Sequence, residues 1–497
     1  MKSIEERYMM KLKKLLKKPT LYLEILAAAA VIRLIAECFR FRILPDGLFI
    51  PLVLILLILW GISFVLIFKR KKREKIIASI LCVGLTIIGF GGSYYLHTAN
   101  GFLDAITDHH NMEKRTVSVY ALNTTGYKGQ KDIDGLSIAI SKTNARTYVN
   151  EALENLKNKG VQFEVKEYDS TIEMVHNFRG QAVDLMMIDQ SLLTIIEDFE
   201  DQADILDSIH SIYDYEYYVE SANTATSVDI SNEPFNVLIS GSDSRAGIDE
   251  TARSDVNLIM TVNPSTHSIL LTSVPRDYYV ETVCDASMGC ANGKKDKLTH
   301  TGLHGIETTE KTLEEVFGIE INYNVKVSFS TLTRLVDVLG GITVDNPNEF
   351  EAGGNTFEKG NITLNGEQAL SYVRERYSFA TGDRERGRNQ MRVLSAIIDK
   401  IASPSVLGNY VDIMNTMKDS FQTNMPIEDI RTLAREQLQY GKRWQIYRNS
   451  VDGTGSTEFC YELGNEASVL IPDEETISKA KLNVEAVTMG EPAPYSY

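Results

Sequence analysis

Residues suited to soft-metal or redox chemistry are scarce in this sequence. Its 497 residues include five cysteines and eight histidines, with no CxxC pair and no histidine cluster that would suggest a zinc site. Positive charge is also in deficit, because 67 Asp and Glu outnumber 51 Lys and Arg for a formal net charge of −16. Such a chain is a poor general binder of nucleic-acid phosphates, so no nucleic-acid partner is expected.

The charge is divided unevenly along the chain. Residues 1–100 contain 16 Lys and Arg against 6 Asp and Glu, which gives this part about +10 and leaves the rest near −26. A basic, apolar segment joined to an acidic remainder predicts a membrane-attached protein. The length exceeds that of one small domain and predicts two or three.

Apolar runs near the N-terminus predict membrane-spanning helices. Residues 48–68 and 76–96 each offer about 20 uncharged residues for a hydrocarbon core of about 30 Å. A third run, residues 21–39, is interrupted by charges that can snorkel toward its ends. These charges belong to Glu24, Arg33 and Glu37. We therefore expect three transmembrane helices within residues 21–97.

The positions of Lys and Arg predict the orientation of these helices. Residues 1–20 include five lysines between positions 11 and 18, and the loop 69–75 includes six basic residues. Both segments are therefore expected in the cytoplasm. Three spans then place residues 97–497 outside, whereas two spans would export the basic N-terminus. The expected location is the cell membrane, with several spans, a cytoplasmic N-terminus and the large acidic part on the outer face.

The cysteines are compatible with this topology. Cys284 and Cys290 lie six residues apart in a polar loop, where an extracytoplasmic environment would allow a loop-closing disulfide. Cys38 and Cys82 lie in apolar runs and are expected to be small buried residues. Cys460 remains a candidate unpaired thiol.

Residues 115–220 alternate between strand-like and helix-like patterns. Strands are predicted at 136–140, 161–168 and 183–188, with helices at 145–159 and 190–200. This segment has no phosphate loop, nucleophile elbow or metal-ligand spacing. We interpret it as a small α/β accessory domain that binds a partner, followed by a linker at 221–233 that is rich in Ser, Thr, Asn and Ala.

Charged residues gather at the ends of the next three predicted strands, 235–240, 256–262 and 268–274. They are Asp243, Arg245, Asp255, Arg276 and Asp277. A second cluster of arginines follows, at 374, 376, 384, 386 and 388. Carboxylates suit Mg²⁺ held jointly with phosphates, and arginines bind phosphate oxygens in a bidentate manner. Together they predict a diphosphate site, although each residue alone would be a surface ion pair.

A series of motifs resembles the LytR-CpsA-Psr family over roughly residues 235 to 405. The motifs, in order, are Gly241-Ser-Asp-Ser-Arg245, Arg253-Ser-Asp255, Pro275-Arg-Asp277, Asp296-Lys-Leu-Thr-His300, Val336-Asp-Val-Leu-Gly-Gly-Ile342, Leu364-Asn-Gly-Glu-Gln-Ala-Leu370, Tyr372-Val-Arg-Glu-Arg376 and Arg386-Gly-Arg-Asn-Gln390. Eight successive matches make the resemblance specific. The layout is similar to that of capsule-type members with an accessory domain.

This resemblance implies a fold and an activity. Members are membrane-anchored α/β proteins whose α/β/α sandwich has an apolar pocket for a polyprenyl chain. They transfer capsular polysaccharide or teichoic acid from an undecaprenyl-diphosphate carrier to peptidoglycan. A pyrophosphatase side activity and contacts with membrane lipid and with capsule or wall assembly proteins are further expectations. The catalytic domain is expected at 235–425, with 426–497 as a C-terminal extension.

The resemblance also assigns roles to individual residues. Asp243 and Asp255 would hold Mg²⁺, with Mn²⁺ as the alternative ion. Catalysis would depend on Asp243, Arg276, Asp277 and Arg374, with Asp277 either orienting Arg276 or acting as a base. The residues expected to bind the diphosphate are Arg245, Arg276, Lys297, Arg374, Arg376, Arg386, Arg388 and Gln390. Asn389 stands where many members have Arg, and Arg386 or Arg388 could supply that charge.

Three other interpretations remain open at this stage. The apolar spacing in 330–339 and 393–401 fits an ordinary core as well as a lipid pocket. The protein could instead be a membrane-bound regulator that attenuates transcription. It could also be a non-catalytic scaffold that binds polyprenyl diphosphate.

Overall fold

The computed structural model describes most of the chain. The described residues are 19–69, 71–107, 112–142, 146–196, 203–220, 223–242, 248, 251–284, 290, 292–380, 382–401, 403, 410–418 and 420–496. The chain divides into two compact units. The first comprises Met1–Ala105, Leu407–Lys418 and Pro426–Lys442, and the second comprises Ile106–Val406, Asp419–Met425 and Arg443–Tyr497.

Three long helices begin the described chain. They are α1 (Pro19–Phe41), α2 (Asp46–Ile67) and α3 (Lys72–Thr107). Among the described residues, two helices are long and apolar enough to cross a membrane, α2 and α3, where three spans were expected. The predicted first span does form a helix, α1, but it is less apolar because it contains Glu24, Arg33, Glu37 and Arg40.

Side chains from all three helices meet in one apolar cluster. Ala27 and Val31 of α1 are buried in it with Leu56 of α2 and with Cys82 and Leu85 of α3. The burial of Cys82, and of Cys38 in the same cluster, confirms the prediction that these cysteines are small core residues. The first unit therefore has an apolar interior to which α1 contributes directly.

Glu24, in the second turn of α1, has a hydrogen-bond partner on α2. Glu24 is buried, and its Oε1 accepts a hydrogen bond from Ser63 Oγ at 2.9 Å. The thiol of Cys82 on α3 lies 3.6 Å from Ser63 Oγ. A buried carboxylate needs such donors because its desolvation is costly. The three helices thus share a polar contact inside their apolar cluster.

Close packing between α1 and α3 depends on a glycine. A Cβ at Gly89 would lie 2.7 Å from the backbone and Cβ atoms of Ala30 on α1, so any side chain would force the helices apart. We expect Gly89→Leu to destabilise the first unit by about 1–3 kcal/mol, the usual cost of overpacking. Thermal unfolding of the detergent-solubilised protein measures this effect. Gly91→Leu is the matched control, because no atom lies within 4 Å of a Cβ at Gly91; equal melting temperatures for the two variants would contradict the packing.

The accessory domain is a five-stranded sheet with helices between its strands. Its elements are β1 (Met112–Leu122), β2 (Leu136–Ser141), α4 (Arg146–Asn158), β3 (Phe163–Tyr168), α5 (Thr171–Arg179), β4 (Leu185–Asp189), α6 (Leu193–Ile196) and β5 (Ile209–Glu220). The strand order is β3-β2-β4-β1-β5, with β2 parallel to β3 and β4, and β1 antiparallel to both of its neighbours. The last helix was predicted over 190–200, of which residues 197–200 lie outside the described residues.

The rest of the second unit is built on a six-stranded main sheet. Its strands and those around it are β6 (Phe235–Ser242), β7 (Val256–Asn263), β8 (Ser268–Val274), β9 (Tyr279–Glu281), β10 (Lys295–Lys297), β11 (Tyr323–Ser328), β12 (Ile342–Asn346), β13 (Phe350–Ala352), β14 (Asn355–Phe357), β15 (Gly360–Leu364), β16 (Phe421–Thr423), β17 (Gln445–Ser450), β18 (Gly453–Cys460) and β19 (Asn465–Pro472). The main sheet has the order β16-β11-β6-β7-β8-β17. In this sheet β7 pairs antiparallel with β6 on one side and with β8 on the other.

Helices cover both faces of the main sheet. The helices of this part are α7 (Leu298–Thr301), α8 (Ile306–Phe317), α9 (Phe329–Val338), α10 (Gly366–Arg374), α11 (Asp383–Ile401) and α14 (Glu474–Thr488). Two further helices, α12 (Tyr410–Met417) and α13 (Ile427–Tyr440), belong to the first unit. Leu238 and Val274 pack in one cluster with Phe317 of α8 and Ile477 of α14. Ser273 points to the opposite face, because side chains alternate along a strand, and there it meets α11 at Gly387. The result is a mixed α/β domain.

The main sheet extends beyond the predicted end of the catalytic domain at residue 425. Strand β17 pairs in parallel with β8, and α14 packs on the sheet through Ile477 and Ala480. Residues 443–497 are therefore part of the domain and do not form a separate extension, whereas residues 426–442 belong to the first unit. Local patterns did not reveal this because β17 pairs with a strand that lies about 175 residues earlier.

One helix of this segment belongs to the first unit. Arg431 of α13 is buried, and its Nη2 donates to Asn100 Oδ1 on α3 at 2.9 Å. Nε of Arg435 donates to the carbonyl oxygen of Arg42, just after α1, at 3.0 Å. Helix α13 thus contacts the ends of two long N-terminal helices.

The predicted disulfide is confirmed. Cys284 and Cys290 are bonded, and the residues between them, 285–289, lie outside the described residues. Cys460 at the end of β18 is fully buried, and its Sγ lies 3.8 Å from the carbonyl oxygen of Glu458.

A buried carboxylate in α8 makes the stability of the second unit depend on pH. Burial raises the pKa of Glu310 to about 7, and hydrogen bonds from Thr224 and Asn324 oppose the shift. In the unfolded chain this carboxyl group has a pKa of about 4.3. As pH rises, the unfolded chain therefore loses the proton at a lower pH than the folded state does. The contribution of Glu310 to the free energy of unfolding is therefore fully present below about pH 4, and it is lost as pH rises toward 7.

Glu310→Gln should remove this dependence. Between about pH 4.5 and 7 the free energy of unfolding of the wild type should fall by about 1.4 kcal/mol per pH unit relative to the variant. Denaturant unfolding at several pH values measures the difference. Glu315→Gln, on an exposed position of the same helix, serves as the control; a constant difference between wild type and Glu310→Gln across this range would contradict the assignment.

Candidate active site

The centre of the site is an ion pair at one edge of the main sheet. Asp255 comes directly before β7 and Arg276 follows β8, so the antiparallel register brings the two residues together. Nη1 of Arg276 donates to Oδ1 of Asp255 at 2.7 Å. Their side chains are only 16% and 8% exposed, for Arg276 and Asp255 respectively. A pair this deeply buried needs further donors, since both charges have left water.

Thr299 of α7 supplies part of this support. Its Oγ1 donates to Asp255 Oδ1 at 3.3 Å, and its backbone N–H donates to the carbonyl oxygen of Arg276 at 2.8 Å. Asp277 lies on the other side of Arg276, with 3.8 Å between Asp277 Oδ1 and Arg276 Nε. At 28% exposure, Asp277 is the carboxylate of this group most open to solvent.

Helix α11 brings a second ion pair to the first. Arg386 Nη2 and Asp383 Oδ1 are 2.5 Å apart, one helical turn from each other. Burial lowers the pKa of Arg386; Asp383, Asp255 and Asp277 oppose this change, and the positive charge of Arg276 adds to it. These mutual effects show that the two ion pairs form one charge cluster, which we call the Asp255–Arg386 cluster.

Asp383 is affected by the same neighbours. Burial raises its pKa, and the negative charge of Asp277 adds to the shift. The arginines at 386, 276 and 376 act in the opposite direction. Arg376, in the loop after α10, is thus one of the cations whose charge acts on Asp383. Arginines and carboxylates oppose one another's effects in this region.

The faces of α11 separate the predicted arginines. Residues 383, 386, 387 and 390 fall on one side at helical spacing, and this side meets the main sheet. Arg388 lies on the opposite side, where its Nη1 donates to Glu385 Oε2 at 3.0 Å. The expectation that Arg388 binds a ligand together with Arg386 does not fit this arrangement. Gln390 is buried on the same side as Arg386.

Asn389 anchors α11 to α10. Its side chain is 1% exposed, its Nδ2 donates to the carbonyl oxygen of Tyr372 at 3.3 Å, and its Oδ1 accepts from Arg392 Nη1 at 2.6 Å. Arg392 also pairs with Glu385 at 2.8 Å. Asn389 and Arg392, one turn apart on α11, are therefore linked to each other, and Asn389 also joins α11 to α10.

The remaining predicted residues have varied positions. Arg374 at the end of α10 stacks its guanidinium 5.1 Å from the ring centre of Phe329. Arg376 lies over Tyr377 at 4.7 Å and donates to its hydroxyl. Lys297 is buried just before α7. Asp243 and Arg245 lie outside the described residues.

Two residues of the cluster had no role assigned from the sequence. Asp383 opens the arginine-rich motif, and Thr299 lies within the Asp296–His300 motif. The i, i+3 spacing of Asp383 and Arg386 on a helix is typical of an ion pair. Thr299 gave no such signal, because its contact with Asp255 joins residues 44 positions apart.

The carboxylate of Asp255 fits a metal ligand. It accepts hydrogen bonds on Oδ1 from Arg276 and Thr299, and its carboxylate oxygens are hard ligands of the kind that Mg²⁺ prefers. Mg²⁺ is commonly held by one or two carboxylates together with substrate phosphates, so a larger group of protein ligands is not required. The described residues include no set of three or more His, Cys, Asp or Glu that could hold a metal ion. Asp255 would hold the ion with Asp243, and the ion would neutralise phosphate charge.

The second unit contains a mixed α/β domain with arginines and carboxylates gathered at one edge of its main sheet. Residues 205–484 match the model of the LytR_cpsA_psr family. The chain therefore belongs to the LytR-CpsA-Psr family, whose members are glycopolymer transferases. The match also extends well past residue 425, in agreement with the limits of the main sheet.

Several relatives of this chain carry the name of a teichoic acid transferase. The polyisoprenyl-teichoic acid–peptidoglycan teichoic acid transferase TagU of Bacillus licheniformis is 32% identical over 252 residues, which cover 50% of this chain and 79% of the relative. TagU of Enterococcus faecalis is 34% identical over 246 residues, which cover 49% of this chain and 78% of the relative. The crystal structure of Bacillus subtilis TagU aligns with 51% of this chain and with 96% of the TagU chain. The sequence identity is 29% and the TM-score is 0.39.

The approach of α11 to β8 leaves no room for a side chain at Gly387. A Cβ there would lie 2.3 Å from Ser273 Oγ and 3.3 Å from Ser273 Cβ. We expect Gly387→Ala to displace Asp383 and Arg386 from the cluster and to weaken binding of a diphosphate ligand about 10-fold or more, since small misplacements of positioned groups are costly. Isothermal titration with inorganic pyrophosphate measures this loss. Ser273→Ala removes the clashing oxygen, so the double variant should recover most of the affinity; no recovery would contradict the packing argument.

Proposed function

We propose that this protein is a membrane-bound phosphotransferase that moves an anionic glycopolymer from a polyprenyl-diphosphate carrier to peptidoglycan. The observation that carries the proposal is the buried Asp255–Arg386 cluster. Its arginines, Arg276, Arg376 and Arg386, offer planar sets of donors suited to phosphate oxygens. A diphosphate would take over the role of the carboxylates that now balance them.

The reaction needs little covalent participation by the protein. A sugar hydroxyl of the acceptor attacks the phosphorus nearest the glycan, an O–P bond forms, and the bond between the two phosphates breaks. The polyprenyl monophosphate leaves, and the hydroxyl proton is released. Asp277, beside Arg276 and the most exposed carboxylate of the cluster, either receives this proton or orients Arg276. Positioning and charge stabilisation dominate such transfers, and bound Mg²⁺, or Mn²⁺ in its place, would supply part of that stabilisation.

The names of the relatives support the substrate class. They specify a polyisoprenyl-linked teichoic acid as donor and peptidoglycan as acceptor. For this chain we propose an undecaprenyl-diphosphate donor that carries teichoic acid or capsular polysaccharide. Hydrolysis of the same diphosphate by water would give a pyrophosphatase side activity. The accessory domain is proposed to contact capsule or wall assembly proteins.

We further propose that α1, α2 and α3 all lie in the membrane. The contact of Glu24 with Ser63 supports the placement of α1 beside the two apolar helices, because it gives one oxygen of the buried carboxylate a hydrogen-bond donor. An odd number of crossings leaves the basic N-terminus in the cytoplasm and the main domain on the outer face. The bond between Cys284 and Cys290 is typical of an oxidising compartment.

A reconstituted transfer assay tests the proposal. The full-length protein in lipid nanodiscs is incubated with undecaprenyl-diphosphate-linked glycopolymer, Mg²⁺ and peptidoglycan sacculi. We expect polymer bound covalently to the sacculi and an equal amount of undecaprenyl monophosphate. Binding of the donor with neither product would instead identify a scaffold. A reporter fused after Tyr497 that is active only in the cytoplasm would favour the regulator.

Removal of Arg276 should abolish most of the transfer. Arg276→Ala takes away a phosphate ligand and leaves Asp255 buried without its cation, so we expect turnover to fall on the order of 10² to 10³-fold, as for the loss of one stabilising donor. The initial rate of monophosphate release measures the effect. Arg388→Ala is the matched control, because Arg388 is engaged by Glu385 on the opposite side of α11. Wild-type turnover in Arg276→Ala, or equal losses in both variants, would contradict the assignment.

A further inference from the structure

A buried polar network lies next to the Asp255–Arg386 cluster and is centred on Asp296, whose side chain is 2% exposed. Oδ1 of Asp296 accepts hydrogen bonds from His300 Nδ1 at 2.5 Å and from the backbone N–H of Lys297 at 2.7 Å. Oδ2 accepts from the backbone N–H of Glu462 at 2.6 Å. Both carboxylate oxygens are thus occupied by directional bonds, which fix the side chain in one orientation.

Glu462 connects this network to a second histidine. The residue lies in the turn between β18 and β19, and its Oε1 is 2.7 Å from Nε2 of His304. Both side chains of this pair are about nine-tenths buried. Glu462 therefore holds the segment 296–304 at two points, through its backbone N–H at Asp296 and through its carboxylate at His304.

The segment that is held in this way carries contacts to the active-site cluster. Thr299 lies within it and donates to Asp255 Oδ1 and to the carbonyl oxygen of Arg276. The carbonyl oxygen of Thr299 accepts from the backbone N–H of Ser254 at 2.9 Å. Three hydrogen bonds from one residue thus define the positions of the chain at Asp255 and at Arg276.

The other side of the β18–β19 hairpin packs against the accessory domain. Leu463 and Cys460 of the hairpin, with Leu303 from the held segment, are buried in one cluster with Phe178 and Ile188 of the accessory domain. The hairpin therefore touches the accessory domain through apolar side chains and the segment 296–304 through polar ones.

We propose that Asp296 and Glu462 are positioning residues for the transfer reaction. Through these two residues and Thr299, the packing of the accessory domain would help to fix the positions of Asp255 and Arg276. This inference rests on the proposed function, because it assigns a role in that reaction. Residues in such supporting shells hold the groups that touch the substrate in a productive geometry, and their loss reduces activity without removing a substrate contact.

Glu462→Ala tests the polar part of the network. The full-length protein in nanodiscs is studied by hydrogen exchange of the Ser254 and Thr299 amides, and by release of monophosphate from undecaprenyl-diphosphate-linked N-acetylglucosamine. We expect faster exchange at both amides and a fall in kcat of roughly 10-fold with KM nearly unchanged, in the range reported for supporting-shell losses. Glu462→Gln keeps the acceptor for His304 and should restore both readouts.

The control is Glu466→Ala, which removes an exposed carboxylate from the same hairpin and should match the wild type. If Glu462→Ala lowers the melting temperature but leaves exchange at Ser254 and Thr299 unchanged, the network is only structural and the proposal is wrong. If the wild type releases no monophosphate, the proposed function fails, and the exchange data alone still decide whether the network positions Asp255 and Arg276.

Leu463→Ala tests the link to the accessory domain. Removal of its side chain loosens the apolar cluster below the hairpin, so we expect faster exchange at Ser254 and Thr299 as well as in the accessory domain. Leu482→Ala, which truncates a leucine that is 46% exposed, is the matched control and should change neither. Faster exchange confined to the accessory domain and the hairpin would overturn the proposed link.

Discussion

The buried ion pair between Asp255 and Arg276 is the interaction on which the site depends. Two charges removed from water are costly unless other groups satisfy them, and a broken pair leaves one charge unbalanced. The main sheet brings the two residues together at the ends of β7 and β8. Thr299 adds donors to both sides of the pair. This arrangement fixes the positions of the arginine and the carboxylate at the edge of the sheet.

Helix α11 extends the pair into a cluster that suits a diphosphate. It approaches the sheet closely at Gly387, where no side chain would fit, and so brings Asp383 and Arg386 to the same buried region. Arginines are thus concentrated at one edge of a sheet in a domain whose net charge is strongly negative. Local charge, set by a few buried side chains, decides the chemistry, while the net charge describes the solvated surface.

The sequence predicted that Asp255 and Arg276 lie close together, but it did not reveal other contacts of the site. Asp255 and Arg276 could be placed because adjacent antiparallel strands share an edge, and Cys284 and Cys290 because they lie close in sequence. Arg388 was grouped with Arg386 because a motif gives the order of residues and not the face of the helix; helical spacing separates them. Thr299 and β17 could not be found, since each makes its contacts with residues far away in the chain.

The central claim is that the Asp255–Arg386 cluster is where the diphosphate binds, and a structure of the full-length protein with bound ligand tests it most directly. The protein in nanodiscs would be imaged by cryo-electron microscopy with undecaprenyl diphosphate and Mg²⁺. The account predicts that both phosphates contact Arg276 and Arg386, with the ion beside Asp255. Phosphates bound elsewhere, with the Arg276–Asp255 bond intact and no density in the cluster, would contradict it.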